Sequence, residues 1–535
     1  MRQVVSLTST YSSDEFGICS ALFELGGLVV MHDASGCNST YTTHDEPRWY
    51  DTDSMIYVSA ISEVEAIMGD DEKLLRDLEE TAGDLHPKFI AIIGAPIPYM
   101  IGTDLPAIAH LLEERTGIPA FGFPANGMNL YTKGISDALY ALVDRFCLPA
   151  KDTENASETS DAPDLSAGRK KSLTGCSRKM NILGATPLDL PAKGCVPAIW
   201  AWAERFGFEK GASLSLETSL EEIVRAGEAC VNLVVSYGGL AAARLLQKRF
   251  GTPYIVGIPF GTVFSEVLGR RLQEIYANAA SRKDAENPLK EILRRAKDDR
   301  PSDSCENAAS QKDRPSGSCE NAASQKDRPS GSCENAASKK DRPSDSDEDA
   351  ASKKDRPSDA GEDAASQAGR SSDSDENSIS QKGSSSDSDE NAASQKDRPF
   401  DSGGVSSYNN TVYSAVPRVS GDEPLLIIGE SVFAASFAAA VELEQGIPTR
   451  VLCPVDTEDA LLRPGDLRVE SEDDLIGHLS KSKRIAADPL FRPLTPKTAD
   501  FYDLPHTAFS GRIFEKTVPN RIAVPVREDF RKTPR

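Results

Sequence analysis

Short unbroken apolar runs alternate along the chain with longer stretches in which apolar residues recur every three or four positions. The runs at 27–32, 89–94 and 118–123 have the length of a buried strand and lack the polar alternation of a half-exposed one. Between them, 71–82 and 104–116 set apolar residues at helical spacing among charges, the second stopping near Gly117. A second series reads strand 180–184, helices 197–206 and 220–226, strand 230–236, helix 240–250 and strand 254–258. A third reads strand 424–429, an alanine-rich helix at 432–445 and strand 449–452. Such alternation predicts an α/β protein built from parallel sheets flanked by helices. The implied organisation is a first block at 1–150, a polar linker at 151–178, a second block at 179–296, an insert at 297–404, and a third block with its tail at 405–535.

The insert breaks the pattern. It repeats a unit of about 14 residues, with Pro301, Pro315, Pro329, Pro343 and Pro357 in register and Pro399 returning to it. Between 301 and 400 the large apolar side chains are Ile379 and Phe400, too little surface to offset chain entropy, so the insert is expected to be disordered. A proline in each early unit, with no apolar seam, excludes a coiled coil. Cys305, Cys319 and Cys333 belong to the duplicated unit and are set aside as ligands.

Charge narrows the functional classes. A net charge of −23 repels phosphate backbones, and no basic stripe offsets it, so nucleic acid is not an expected partner. No leader-like start and no apolar run long enough to span a bilayer are found, which points to the cytoplasm. Ten cysteines without disulfide-framework spacing suit reduced thiols, some of them metal-bound.

Candidate chemistry gathers near the N-terminus. The strand at 27–32 breaks into a turn ending in Ser35, Gly36 and Cys37, and strand ends are where α/β proteins keep their chemistry. Cys19 is a possible partner thiol, although a free cysteine is equally at home as a small buried apolar residue. His44, Asp45 and Glu46 could orient a substrate or relay protons and Arg48 could pair with a carboxylate; the alternative is a polar surface loop capped by Pro47. His32, directly after a strand, reads as a hydrogen-bonded structural histidine, and His86 and His110 as helix-end or surface residues. Cys195 precedes a helix, whose N-terminus lowers a thiol's pKa. Neither Gly-x-Gly-x-x-Gly at a strand–helix junction nor a phosphate-binding Gly-x-x-x-x-Gly-Lys-Ser/Thr occurs, so no dinucleotide or ATP cradle is evident.

These segments resemble the nitrogenase component 1 family of oxidoreductases. The most specific likeness lies in Gly17-Ile18-Cys19-Ser20-Ala21-Leu22, similar to the family's cysteine shortly before a small-residue helix, and in His32-Asp33-Ala34-Ser35-Gly36-Cys37, similar to its His-Gly-x-x-Gly-Cys element. Residues 68–74, 86–88, 101–104, 181–184, 487–493 and 503–512 extend it over nearly all of the chain outside the insert. The resemblance implies three Rossmann-like parallel-sheet domains of the nitrogenase component 1 type. It also implies an iron-sulfur cluster, 4Fe-4S in kind, at a subunit interface. Members with three cysteines carry the third just before an Ile-Gly-Asp-Asp element, where this chain reads Gly94-Ala95-Pro96-Ile97-Pro98-Tyr99-Met100-Ile101 and has no thiol, so Cys19 and Cys37 alone cannot supply four thiolates. A homodimer, or a heterodimer with a related subunit, would complete the set across a dimer axis. By the same resemblance an ATP-hydrolysing iron-sulfur reductase protein is the expected electron donor, a small molecule the expected substrate, and His506 lies in a loop near the substrate cavity. No counterpart of the residues holding nitrogenase's large cofactor is evident, which argues against nitrogen fixation. The expected function is therefore a nitrogenase-like reductase subunit, with a metal-cofactor assembly scaffold, or a non-redox small-molecule or corrinoid-binding module, as alternatives.

Overall fold

The computed structural model describes residues 7–36, 38, 46–147, 178–285 and 410–530. Cys37, His44, Asp45, nearly all of the 151–178 linker and the whole 297–404 insert lie outside the described residues. All that follows concerns the unit spanning 1–300 and 406–535.

Three wholly parallel sheets make up this unit. The first contains β1 (Leu28–Met31), β2 (Met55–Val58), β3 (Ile90–Ile93) and β4 (Ala120–Phe123) in the order β2-β1-β3-β4. The second contains β5 (Lys179–Ala185), β6 (Glu209–Ser215), β7 (Val231–Val234) and β8 (Tyr254–Val256) in the order β6-β5-β7-β8. The third contains β9 (Leu425–Ile428), β10 (Thr449–Cys453), β11 (Leu467–Arg468), β12 (Arg484–Ala487) and β13 (Asp500–Asp503) in the order β11-β10-β9-β12-β13. β1, β3, β7 and β9 are buried at every residue, because helices cover both faces of a parallel sheet; this is why β1, β3 and β9 appear as unbroken apolar runs and β7 as one interrupted by the buried Asn232. In each sheet the chain first builds outward on one side of its founding strand and then crosses to the other. The carboxyl ends of β1 and β3, β5 and β7, and β9 and β12 therefore flank a switch point, where such sheets hold ligands.

The predicted helices form at Asp71–Leu85, Leu105–Thr116, Cys195–Arg205, Leu220–Val224, Leu240–Phe250 and Ser431–Gln445. Asp71–Leu85 shows the logic: Asp70 accepts from Lys73 N at the helix start, and Leu74, Leu75, Leu78 and Ala82 form the buried stripe. That stripe covers one face of the first sheet, against Leu28, Val30, Ile90 and Ile92. The larger core cluster runs through all three sheets.

Elements beyond the sequence expectation include helices α1 (Asp14–Leu22) and α6 (Tyr131–Phe146), and the edge strands β6 and β13, whose polar sequences (Glu209-Lys-Gly-Ala-Ser-Leu-Ser215 and Asp500-Phe-Tyr-Asp503) lack an apolar run. Cys19 lies inside α1 rather than ahead of a helix. α1 and α6 pack at backbone distance. A Cβ on Gly17 would stand 2.1 Å from Tyr131 O, and one on Gly134 only 2.0 Å from Asp14 O, so only glycine fits at either position. Among the described residues no helix is long and apolar enough to cross a membrane.

Candidate functional site

α1 begins at Asp14 with two acids in its first turn, where the helix dipole favours them. Asp14 is well satisfied: Gly127 N donates to Oδ1 at 2.9 Å and Asn129 Nδ2 to Oδ2 at 2.9 Å. Glu15 is not. It is 6% exposed, its Oε2 has no hydrogen-bond partner, and burial with the neighbouring Asp14 pushes its carboxyl up to about 7. One helical turn further on, Cys19 is fully buried, and burial followed by the charges of Glu15 and Glu46 drives its thiol well above the ordinary value. An uncompensated thiolate there would be costly, so a cation is what would stabilise it.

The Glu46–Arg48 stretch is no surface loop. Glu46 is fully buried and Arg48 is 7% exposed. Arg48 Nε donates to Glu46 Oε1 at 2.6 Å, Nη1 to Glu24 Oε1 at 3.0 Å, and Nη2 to Ser20 O at 2.8 Å, while its guanidinium lies 4.6 Å from the Phe23 ring centre. The arginine thus caps the C-terminal carbonyls of α1 and fastens the returning chain to the helix that carries Cys19. The second sheet reaches the same point: Ser215 Oγ donates to Ser20 O at 3.2 Å and Glu217 N to Glu24 Oε2 at 2.6 Å. Ser215 and Glu217 both hold positive φ, at 103° and 55°, a strained backbone retained where two sheets meet. At the first switch point His32 Nδ1 lies 2.9 Å from Ser59 Oγ, and burial lowers the ring to about 4, as befits a structural histidine. Asn38 Nδ2 donates to Asp33 Oδ2 at 2.9 Å, so both neighbours of Cys37 in sequence belong to the described turn.

His506 sits elsewhere, where the three sheets converge. It is 3% exposed, enclosed by the rings of Phe509, Tyr131 and Phe433. Neither ring nitrogen has a hydrogen bond; Nε2 lies 3.4 Å from Asp189 Oδ1, close enough for charge attraction but outside hydrogen-bond geometry. Asp189, four residues past β5, accepts from Tyr131 OH at 2.6 Å, leaving its Oδ2 without a partner. Glu430, two residues past β9, accepts from Tyr237 N at 3.0 Å and Phe433 N at 2.9 Å. Burial, then the charge of Asp189, raises Glu430 to about 7. Asp488, directly past β12, accepts from His506 N at 2.7 Å and from Ser510 Oγ. Each acid thus stands at the carboxyl end of a strand flanking a switch point. The His506 loop is also tied to the start of the chain, since Thr10 N and Tyr11 N donate to Phe509 O and Ala508 O, both at 2.9 Å.

The fold therefore packs Glu46 and Arg48 against α1, the helix that carries Cys19, and puts His506 in a separate buried junction. Tyr131, Asp189, Glu430 and Glu15 escaped the sequence reading. The available signal was position: Asp189 and Glu430 follow apolar strands by a few residues. Cys195 is the first residue of its helix, yet burial pushes its thiol up to about 12, outweighing the helix N-terminus. His110 is an exposed partner of Glu114, and His86 is a helix cap at φ 49°. An open cleft of about 860 Å³, lined by His32, Ser59, Glu65 and Lys73, runs beside β2, with Ile67, Met68 and Ile101 exposed along it. Among the described residues no three His, Cys, Asp or Glu side chains converge closely enough to hold a metal ion.

Comparison with known proteins agrees with this architecture. The family model described as nitrogenase component 1 type oxidoreductase matches residues 22–302. The nitrogenase iron-molybdenum cofactor biosynthesis protein NifE of Methanosarcina barkeri is 25% identical over 251 residues, covering 46% of this chain and 50% of that protein. Its namesake in Clostridium pasteurianum is 27% identical over 236 residues, covering 42% and 45%. The chain thus spans about half the length of the curated relatives it matches. Among solved structures, nitrogenase Cp1 at pH 5 superposes over 53% of this chain and 58% of that one, at 18% identity and a TM-score of 0.39. With more than half of the chain matched by the family model, this protein belongs to the nitrogenase component 1 type oxidoreductase family.

Proposed function

We propose that this chain is an assembly scaffold, a component 1 type subunit on which a metal cofactor is built and then released. The observation carrying this reading is that its similar relatives bear the name cofactor biosynthesis protein. Cys19 and Cys37 would hold an iron-sulfur cluster, which when bound supplies electron transfer and exchangeable iron. Two thiols per chain leave it incomplete until a second copy or a related subunit adds its own. The exposed Met68, Tyr99, Met100 and Ile101, on helices beside the first switch point, give a partner protein, such as an ATP-hydrolysing iron-sulfur reductase, an apolar face to meet. A cytoplasmic setting suits Cys19, Cys195 and Cys453, which are free thiols.

Reduction of a bound small molecule is the second reading, and His506 favours it. A buried imidazole with both nitrogens unengaged, beside two carboxylates, can hand protons to a ligand that opens the junction.

Anaerobic purification followed by iron and sulfide analysis and electron paramagnetic resonance tests the proposal on the native chain and on Cys37→Ala. About four irons per dimer, abolished by the substitution and surrendered to a competing chelator without turnover, is the expected result. Metal-free native protein, indistinguishable from the variant, would overturn it. A cluster inert to the chelator that passes electrons from a reductase to a substrate would transfer the case to the second reading.

A further inference from the structure

We propose that the buried junction around His506 binds an organic cation, an amidinium, guanidinium or ammonium group that meets the carboxylates of Asp189 and Glu430. The inference rests on the second reading, in which a small molecule opens this junction, and names the class of that molecule by its charge. Asp189 and Glu430 are fully buried and Asp488 is 1% exposed. Among the described residues no lysine or arginine pairs with any of the three; the basic group beside them is His506, with Nε2 3.4 Å from Asp189 Oδ1. One imidazolium balances one carboxylate at most, and buried acids in excess of their partners cost free energy until a positive group reaches them. Hydrogen bonding points the same way. Asp488 is satisfied by His506 N, Leu490 N and Ser510 Oγ, but Asp189 Oδ2, both His506 ring nitrogens and Tyr413 OH have no hydrogen bond. A carboxylate oxygen can only accept, as can one nitrogen of a neutral imidazole, so the ligand that completes this site is a donor.

The surroundings select an organic cation over a metal ion. Among the described residues no three acid, histidine or cysteine side chains converge on one point, whereas a charge spread over several atoms can reach carboxylates that stand apart. The walls are aromatic: Phe509 lies 4.7 Å from the His506 ring centre, Tyr131 and Phe433 lie 6.1 Å from it, and Phe260 stacks edge-on to Phe433 at 5.1 Å. Aromatic faces attract cations, and a planar amidinium directs N–H groups to more than one acceptor at once. An anion would meet three carboxyl groups, and a neutral ligand would leave their charge unbalanced. Binding is also linked to a proton. The titratable groups around Glu430 are Asp189 past β5, Tyr131 on α6, Tyr413 ahead of β9 and Cys453 at the end of β10, and none of them is basic. Burial and Asp189 hold Glu430 at about 7, so a cation that favours its charged form displaces its proton at any lower pH.

Full-length protein is titrated calorimetrically with methylguanidinium and benzamidinium, with their neutral analogues methylurea and benzamide, and with benzoate, as native chain, Asp189→Asn and Glu430→Gln. At least one cation should bind about ten-fold or more tightly than its neutral analogue, and Asp189→Asn should weaken it by about 30-fold or more. Its affinity for the native chain should rise about ten-fold per pH unit below about pH 7 and level off above, with a proton released to the buffer that Glu430→Gln does not release. Benzamide, methylurea or benzoate binding as tightly as the cations would overturn the charge assignment and leave the second reading standing. Cations that bind the native chain and Asp189→Asn equally sit on the acidic surface, and that result would overturn the assignment as well. No binding by any of the five probes would overturn this inference together with the reading of the junction as a small-molecule site.

Discussion

Arg48 offers the most direct test of how the Cys19 helix is held. Its side chain is 8% exposed and its partners Glu46 and Glu24 are 0% and 9% exposed, so replacement by methionine takes the guanidinium away from two carboxylates held out of water. Removing one member of a buried ion pair costs about 3–5 kcal/mol, because the remaining charge keeps its desolvation penalty and loses its attraction. The bond to Ser20 O is lost as well, uncapping the last turn of α1. If the loss falls on local opening, amide exchange from Leu22 to Leu25 should accelerate by at least about 100-fold, since every 1.4 kcal/mol is roughly a factor of ten. Glu46→Gln in the Arg48→Met background removes the stranded charge and should recover about 2 kcal/mol, the coupling term of a double-mutant cycle. Hydrogen exchange read by mass spectrometry, with urea denaturation of the same variants, measures both quantities. Unchanged exchange in Arg48→Met, together with weakened binding of a carboxylate ligand, would refute this account and restore Arg48 as a substrate contact.

Two further outcomes follow from the packing and the junction. Gly17→Ala pushes a methyl group into Tyr131 O and should destabilise the α1–α6 contact by about 1–3 kcal/mol, while making the buried Cys19 thiol markedly more reactive to a maleimide. Labelling at the native rate would count against the close approach of these helices. Glu430, held at about 7 against an ordinary 4.5, binds its proton more tightly folded than unfolded. Its contribution to stability is therefore fully present below about pH 4.5 and is lost as pH rises to about 7, by about 3 kcal/mol in all. Urea midpoints at pH 5 and pH 8 should accordingly fall further for the native chain than for Glu430→Gln, and parallel falls would show that the junction does not titrate.

Legibility of the site varied with how local its determinants are. The thiols at 19 and 37 are visible in the sequence because each belongs to a short motif. Tyr131 and Asp189 are 58 positions apart, and Tyr237 meets Glu430 across 193; no window of sequence contains either pair. Arg48 reads from the sequence as a partner for a substrate carboxylate or as part of a polar surface loop, but Ser20 of the preceding helix and Glu24 just beyond it turn it inward. Cys195 went the same way: its helix position is local information, while the burial that raises its thiol comes from packing.

The amino-acid order by itself determined the layers: apolar runs at 28–31, 90–93, 231–234 and 425–428 could satisfy water exclusion only as the inner strands of parallel sheets, and helical spacing between them supplied the covering faces. The tertiary structure alone decided which polar groups would share a dry junction and which carboxyl oxygens would be left without a hydrogen bond. Strand and helix patterns arise from repeats over a few residues, whereas the electrostatic surroundings of Glu15, Glu430 and His506 are set by backbone and side chains brought in from distant parts of the chain.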